Sequence, residues 1–473
     1  MLSRHHHVLQ NGLRIVTTPQ PHLHGVCVAL AIGCGARHDT PRKWGLAHFV
    51  EHMMFRGSHS YPDAAALIAP FERGGGTLNA ETWRDHTMFW CVVHPKHLAA
   101  TLAAMGDMMC RPRFDDIELE RSLVHAELAA DVDEDGQDTD LGAFSRKNIW
   151  ANHPMGRRIV GSEDSLDGLT KQDVRRLHRR AYVASNMALA VVGRVTPGAI
   201  ERLAQQHFGP LPQGSPLLQG RPPTFTPKRL GPTPSPDVLP HPVRESTLQL
   251  TFEALPDGHP DFAALSLLVS LLDDGMGTRL HRALSERTGL VYAFETGLDC
   301  YRDCGLYDLE LQVAPERLQA ALTVAVGVLL DVARADVSHK ELQAAKERAL
   351  LAVELGQDSA EEMAQEAAVD LLFGRPGPKR YQQAIERTTV DDITRLAQKI
   401  FLQAPRRMTL MGATAGVNGA ELGQIVDRLS PKKASPAPLA LAVKPTRQRS
   451  SYRRAATARR NRAGQYTPVM PPQ

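Results

Sequence analysis

The chain is built twice over. Asp173-Val174, Leu177, Tyr182, Leu189 and Gly193 recur 219 positions later as Asp392-Ile393, Leu396, Phe401, Met408 and Gly412. In both copies a threonine, Thr170 or Thr389, opens an amphipathic helical pattern that leads to an apolar strand ending in glycine. Such a chain folds as two copies of one unit. Each copy begins with β-rich segments, Val8 to Val16 with an Asn11-Gly12 hairpin turn in the first and Ser246 to Phe252 in the second. Helical runs follow at Leu98–Met109, Ile117–Ala130, Glu316–Ala333 and Lys340–Leu355. The expected fold class is therefore α+β, with two homologous halves, each a β-sheet packed by helices.

Eleven of the 33 prolines fall between Pro210 and Pro242. Proline removes a backbone donor and disfavours helix in the residue before it, so this run reads as an extended linker. It divides the chain into a first half at 1–209, the linker at 210–242, a second half at 243–430 and a tail at 431–473. The tail carries ten Lys or Arg and no acid, which leaves 45 basic against 52 acidic residues in the rest of a chain whose net charge is +3. Nucleic-acid binding has no support outside the tail, and the tail, poor in large apolar residues, is expected to be disordered.

With 42% hydrophobic and 23% charged residues the halves can bury ordinary cores. No apolar run is long enough to span a membrane, and the N-terminus lacks a basic segment followed by an apolar core, so the expected compartment is the cytoplasm, or the periplasm if a leader has been removed. The six cysteines are scattered, which suits reduced thiols; Cys300 and Cys304 have no standard zinc spacing.

The chemistry concentrates between Gly45 and Phe55. His48, Glu51 and His52 form an HxxEH pattern in a segment that reads as a helix, and residues four apart lie one above the other on a helical face. Two imidazoles so placed can share one zinc ion, with Glu51 able to take a proton from zinc-bound water. Two histidines packed on an amphipathic helix are the bland alternative. The flanking Phe49, Val50, Met53 and Met54 make the helix apolar nearly all round, so these polar groups need buried partners. At the same 219-residue shift His48, Glu51 and His52 become Leu267, Ser270 and Leu271, so one Zn²⁺ site per chain is expected, in the first half.

HxxEH after a glycine-led helix, with Glu120-Arg121 and Glu127 some 75 residues on, resembles the pitrilysin/insulinase (inverzincin) family of zinc metallopeptidases, especially its bacterial, mitochondrial-processing-peptidase-like members. The resemblance implies a zinc metalloendopeptidase in which His48, His52 and Glu127 hold the metal, Glu51 is the general base and Glu120 is an outer carboxylate that orients a histidine. It implies further that Asn79, in the segment Gly74-Gly75-Gly76-Thr77-Leu78-Asn79-Ala80-Glu81-Thr82, and Tyr292 bind the peptide substrate, and that the linker joins the halves into a clamshell.

One position departs from the family pattern. An arginine is normally found seven residues before the tyrosine, and here Ser285 stands there; it cannot supply a cationic donor, although Arg282 and Arg287 are near in sequence. The pattern is that of the zinc-bearing member of a heterodimer whose homologous partner supplies the Arg/Tyr pair. The alternative is a non-catalytic binding or scaffold subunit that keeps a structural zinc site. Two other signals point nowhere. Asp131 to Gly136 begins like a calcium loop but has Gly142 where the bidentate glutamate is needed, and His5-His6-His7 reads as a frayed terminus.

Overall fold

The computed structural model describes residues 3–130, 139–218, 220–230, 233–414 and 416–430. The Asp131–Gly136 segment and the basic tail, about which the sequence raised expectations, lie outside these residues. The described residues form two compact units. The first runs to Thr224 and adds Tyr301–Asp303 and Leu350–Ala384; the second comprises Phe225–Cys300, Cys304–Ala349 and the described residues from Ile385 onward.

The first unit is a six-stranded sheet with β1 (His5–Val8), β2 (Arg14–Pro19), β3 (Val26–Ile32), β4 (Asn79–Thr82), β5 (Thr87–Val93) and β6 (Met187–Gly193), in the order β1-β2-β6-β3-β5-β4. Only β2 and β6 pair in parallel. His5–Val8 is therefore a paired edge strand and not a frayed terminus, because its backbone completes a ladder with Arg14 to Thr17. The Asn11-Gly12 turn is present within a loop between β1 and β2, where Gly12 has φ +93° and the Asn11 amide donates to the carbonyls of Phe208, Gly209 and Leu211.

The second unit repeats this plan. Two short strands, β7 (Arg229–Leu230) and β8 (Thr233–Pro234), pair with each other, and β9 (Pro236–Pro240), β10 (Ser246–Ala254), β11 (Ala293–Cys300), β12 (Gly305–Val313) and β13 (Arg406–Gly412) form the sheet β11-β12-β10-β13-β9. Read in reverse this is the first sheet without β1, with the parallel pair again at β9 and β13. Registers match too. Val26 faces Gly193 and Val93 in one sheet, and Ser246 faces Gly412 and Val313 in the other. Thr170 and Thr389 each close a capping box, accepting from the N–H of Asp173 and Asp392 and donating to their carboxylates.

Both faces of the first sheet are buried. One packs on the unit's own helices through residues such as Leu13, Leu30, Phe49 and Phe89. The other presents Cys27, Ala29, Ala31, Ala188 and Ala190, side chains small enough for a helix to lie close, and it is covered by helix Ala360–Phe373 through Met363, Ala364, Ala367, Ala368 and Leu372. Trp90 Nε1 donates to Glu361 at 2.7 Å, and Arg14 donates to the carbonyls of Leu371 and Leu372 at the helix C-terminus, where a cation is favoured. Sequence numbering assigns this helix to the second half, yet its burial places it in the first unit. Among the described residues no helix is long and apolar enough to cross a membrane.

The repeat predicts matched sensitivity at its glycines. Gly193 (φ +140°) and Gly412 (φ +95°) would each bring an added Cβ to within 2.5 Å and 2.2 Å of the carbonyl oxygens of Gly25 and Glu245. Alanine at either position is expected to destabilise its unit by about 1–3 kcal/mol in chemical denaturation. Gly277→Ala, which meets nothing within 4 Å, should change stability by less than about 0.5 kcal/mol.

Candidate metal centre

All nine residues of helix Leu46–Met54 are buried, so its start and its polar side chains must be satisfied from within the protein. Gly45 precedes it with φ +85°, and a Cβ there would lie 2.3 Å from the Val160 carbonyl oxygen. Asp39 caps it from outside the helix: its carboxylate accepts from the N–H of Gly45 at 2.8 Å and of Ala47 at 2.9 Å. This fixes the first turn, and with it the direction in which His48 and His52 project.

The two imidazoles meet edge to face, with their Nε2 atoms 3.3 Å apart. Helix Ile117–Ala130 brings Glu127 to them, its carboxylate oxygens 3.6 Å from His48 Nε2 and 3.5 Å from His52 Nε2. Two facing ring nitrogens beside a carboxylate need a cation, or a proton, between them. Donors that each hold a tetrahedral zinc at about 2.0–2.1 Å stand about 3.3–3.4 Å from one another. The separations here fit that ion, and the buried Glu127 Oε2, without a hydrogen-bond partner among the described residues, is an acceptor a cation would satisfy. His48, His52 and Glu127 form the one such group of potential metal ligands among the described residues.

Behind them lies a second layer. His52 Nδ1 is 3.1 Å from Glu120 Oε2, so the ring donates there and leaves Nε2 as a lone pair toward the metal position. Glu120 is 3% exposed, and its other oxygen accepts from Arg56 Nε. His48 Nδ1 has no hydrogen-bond partner among the described residues. Burial, together with the charge on His52, pushes His48 down to about 4, so its ring is neutral and able to ligate. Burial also works against charge on His52, but the carboxylates of Glu120 and Glu127 outweigh it and lift the group to about 10. Glu127 is held below the usual glutamate value: burial would raise it, and the two histidines overcome that. Without a metal, a proton on His52 therefore does the electrostatic work that a cation would do.

Glu51 lies on the same buried helix, and burial pushes it up to about 7 despite the opposing effects of His52 and Thr82. Thr82 donates to Glu51 Oε2 at 2.6 Å, and Thr87 donates to the Cys34 carbonyl at 2.8 Å. The two hydroxyl oxygens are 3.2 Å apart. Thr82 can thus serve either state of the carboxyl, donating to the carboxylate or, when Glu51 carries a proton, accepting from it and turning its own hydrogen toward Thr87. Neither Asp39, Thr82 nor Arg56 was singled out in the sequence. Thr82 stood inside the quoted Asn79 segment, but nothing in one sequence says which side chain of a strand will meet a helix.

The remaining expected residues stand apart from this cluster. Asn79 begins β4, the edge strand that also carries Thr82, and its half-buried amide donates to Thr77 O at 3.3 Å. Tyr292 belongs to the second unit, just before β11, where its side chain is 65% exposed and its N–H donates to Gln312 O. Ser285 lies in a π-helical turn, Arg282–Glu286, flanked by exposed Arg282 and Arg287. On helix Phe262–Leu272, Leu267 and Leu271 are buried and Ser270 donates to Asp274, so these positions offer no metal ligand.

Residues 14–163 match the family model described as Insulinase (Peptidase family M16), and residues 168–349 match the model described as Peptidase M16 inactive domain; together they take in well over half of the chain. The chain belongs to the pitrilysin/insulinase peptidase family. An uncharacterized zinc protease of Mycobacterium tuberculosis is 28% identical over 400 residues, 83% of this chain and 90% of that protein. A probable mitochondrial-processing peptidase subunit beta of Schizosaccharomyces pombe is 24% identical over 423 residues, 86% of this chain and 91% of its own length. Among solved structures, a protease from Helicobacter pylori superposes with a TM-score of 0.77 at 21% identity, over 87% of this chain and all of that one, a likeness of fold. Zinc is thus named in the relatives, and the residues that match the inactive-domain description include the helix that carries Leu267, Ser270 and Leu271.

Removal of the outer carboxylate tests this arrangement apart from any activity. Glu120→Gln is expected to weaken zinc binding by about 10–100-fold in chelator competition, because the amide has no charge and only one oxygen to serve both His52 Nδ1 and Arg56 Nε. Zinc affinity of the unaltered chain should fall as pH is lowered, since the metal must displace the proton that His52 holds strongly.

Proposed function

We propose that this chain is a zinc-dependent endopeptidase acting on peptides or unfolded polypeptide segments, and that it is the catalytic subunit of a heterodimer. The observation that carries the reading is the buried group of His48, His52 and Glu127 at zinc-ligand spacing with an additional carboxylate, Glu51, raised to about 7 beside it. A purely structural zinc site has no use for a buried base. Keeping Glu51 there, at the expense of desolvating a carboxylate, favours catalysis over the scaffold alternative.

His48, His52 and Glu127 would hold one Zn²⁺. When bound, the ion supplies Lewis acidity, polarising the scissile carbonyl and acidifying water at its open position. Glu51 takes the proton of the attacking water on the oxygen not engaged by Thr82 and returns it to the leaving amine, a role suited to a carboxyl that titrates near neutrality. The free edge of β4 pairs with the substrate backbone, with Asn79 as one contact and Tyr292 of the second unit as another. Ser285, which stands where the family pattern has arginine, supports a requirement for a homologous partner that contributes an Arg/Tyr pair; the fission-yeast relative is itself named as a subunit.

The test is hydrolysis of unstructured peptides by the zinc-loaded chain, alone and with a homologous Arg/Tyr-bearing subunit. Glu51→Gln is expected to bind one zinc and to lose at least about 10²–10⁴-fold in kcat/KM. Unchanged cleavage by that variant overturns the mechanism, and absence of cleavage under both conditions favours the scaffold reading. Because the base must be deprotonated, kcat/KM should rise with pH along its acid limb. Thr82→Val, which removes the hydrogen bond that stabilises the Glu51 carboxylate, should move that limb to higher pH.

A further inference from the structure

Glu81 is a charged group for which the described residues supply no partner. It lies in β4, between Ala80 and Thr82, and its side chain is half-buried. No hydrogen bond or ion pair reaches its carboxylate among the described residues, and the charge that acts on it, on Glu51, is of the same sign. Burial, with Glu51 second, pushes it up to about 7. It is outside the group of potential metal ligands, so a bound zinc does not account for it.

Its place in the sheet suggests what does. β4 is the last strand in the order and among the described residues pairs only with β5, so they leave one edge of its backbone free. The register sets Ala80 opposite Phe89 and Thr82 opposite Thr87, on the face where Thr82 meets Glu51, and it sets Glu81 opposite Met88 on the other face. A peptide strand added at the free edge places every second side chain on the face of Glu81, with Cβ atoms of a directly opposed pair about 4.5–5.5 Å apart. The residue type that relieves a half-buried, unpaired carboxylate across such a pair is lysine or arginine.

We infer that Glu81 is a specificity-determining residue, and that it selects a basic side chain at one position of a peptide paired with the free edge of β4. This rests on the reading of β4 as the peptide-binding edge. A charge on an edge strand can instead serve only to deter pairing with other sheets, and the experiment separates the two.

The zinc-loaded chain carrying Glu51→Gln, which should bind without cleaving, is titrated with fluorescently labelled unstructured peptides that differ at one position, Lys, Gln or Glu, with that position moved along the sequence. At one register the Lys peptide is expected to bind about two- to fivefold tighter than the Gln peptide, as for an opposed charge pair across strands. Adding Glu81→Gln should bring that ratio close to one, and Glu81→Lys should turn the preference toward the Glu peptide. The ratio is the readout, so an overall change in affinity caused by either substitution does not obscure the result. A Lys preference that survives Glu81→Gln, or none at any register while the peptides still bind, overturns the inference and leaves the edge-pairing reading intact. Failure of every peptide to bind, both to the chain alone and with the homologous Arg/Tyr-bearing subunit added, overturns both. Increased self-association of Glu81→Gln with no change in the ratio assigns the charge to protection of the edge and also overturns the inference.

Discussion

The structure of the site depends on the burial of helix Leu46–Met54. A helix with no exposed residue can carry two histidines and a glutamate only if each is answered from inside the protein, and the answers come from every side. Asp39 holds the first turn by its backbone N–H groups, Glu127 and Glu120 approach from a helix about seventy residues later, Arg56 supports Glu120, and Thr82 reaches in from the sheet. The same enclosure sets the protonation states. His48 is kept neutral, His52 is charged by its carboxylates, and Glu51 is lifted toward neutrality. A single dry environment thus holds one ring neutral, another charged and a carboxyl near neutrality.

The sheet that carries this helix is itself enclosed, for a different reason. Its second face sets Cys27 and four alanines among larger side chains such as Val16, Met88 and Trp90, and this surface fits under a helix that arrives from far along the chain. Helix Ala360–Phe373 thereby becomes part of the unit that holds the candidate metal centre, although the internal repeat assigns it to the other copy. The edge at β4 is a third circumstance: the strand that offers Thr82 to Glu51 also has an unpaired side. Glu51 next to a strand edge that no described residue pairs with is what supports the proposed recognition of an extended peptide.

Much of this was legible in the chain. The spacing of His48 and His52 already required one helical face, and the 219-residue repeat already required two sheets of one design, which the matched registers of Val26 and Ser246 display. The repeat also marked Leu267, Ser270 and Leu271 as positions without ligands. Glu120 and Glu127 were reached through family resemblance, since seven residues of helix give a shared direction but not a target. The expectation for His5–His7 went wrong because a terminal strand takes its stability from a partner, β2, and not from its own residues.

Periodicity and spacing are properties of neighbours along the backbone, so the sequence by itself determined the duplicated α+β plan, the helix that carries HxxEH and the apolar Leu267 and Leu271 at the matching positions of the second copy. Contacts between distant segments are decided by which surfaces fit. Only the tertiary structure, therefore, decided that Asp39 would cap the helix that carries HxxEH, that Thr82 would be the partner of Glu51, that a helix of the second copy would close the first sheet, and that no described residue would pair with Glu81.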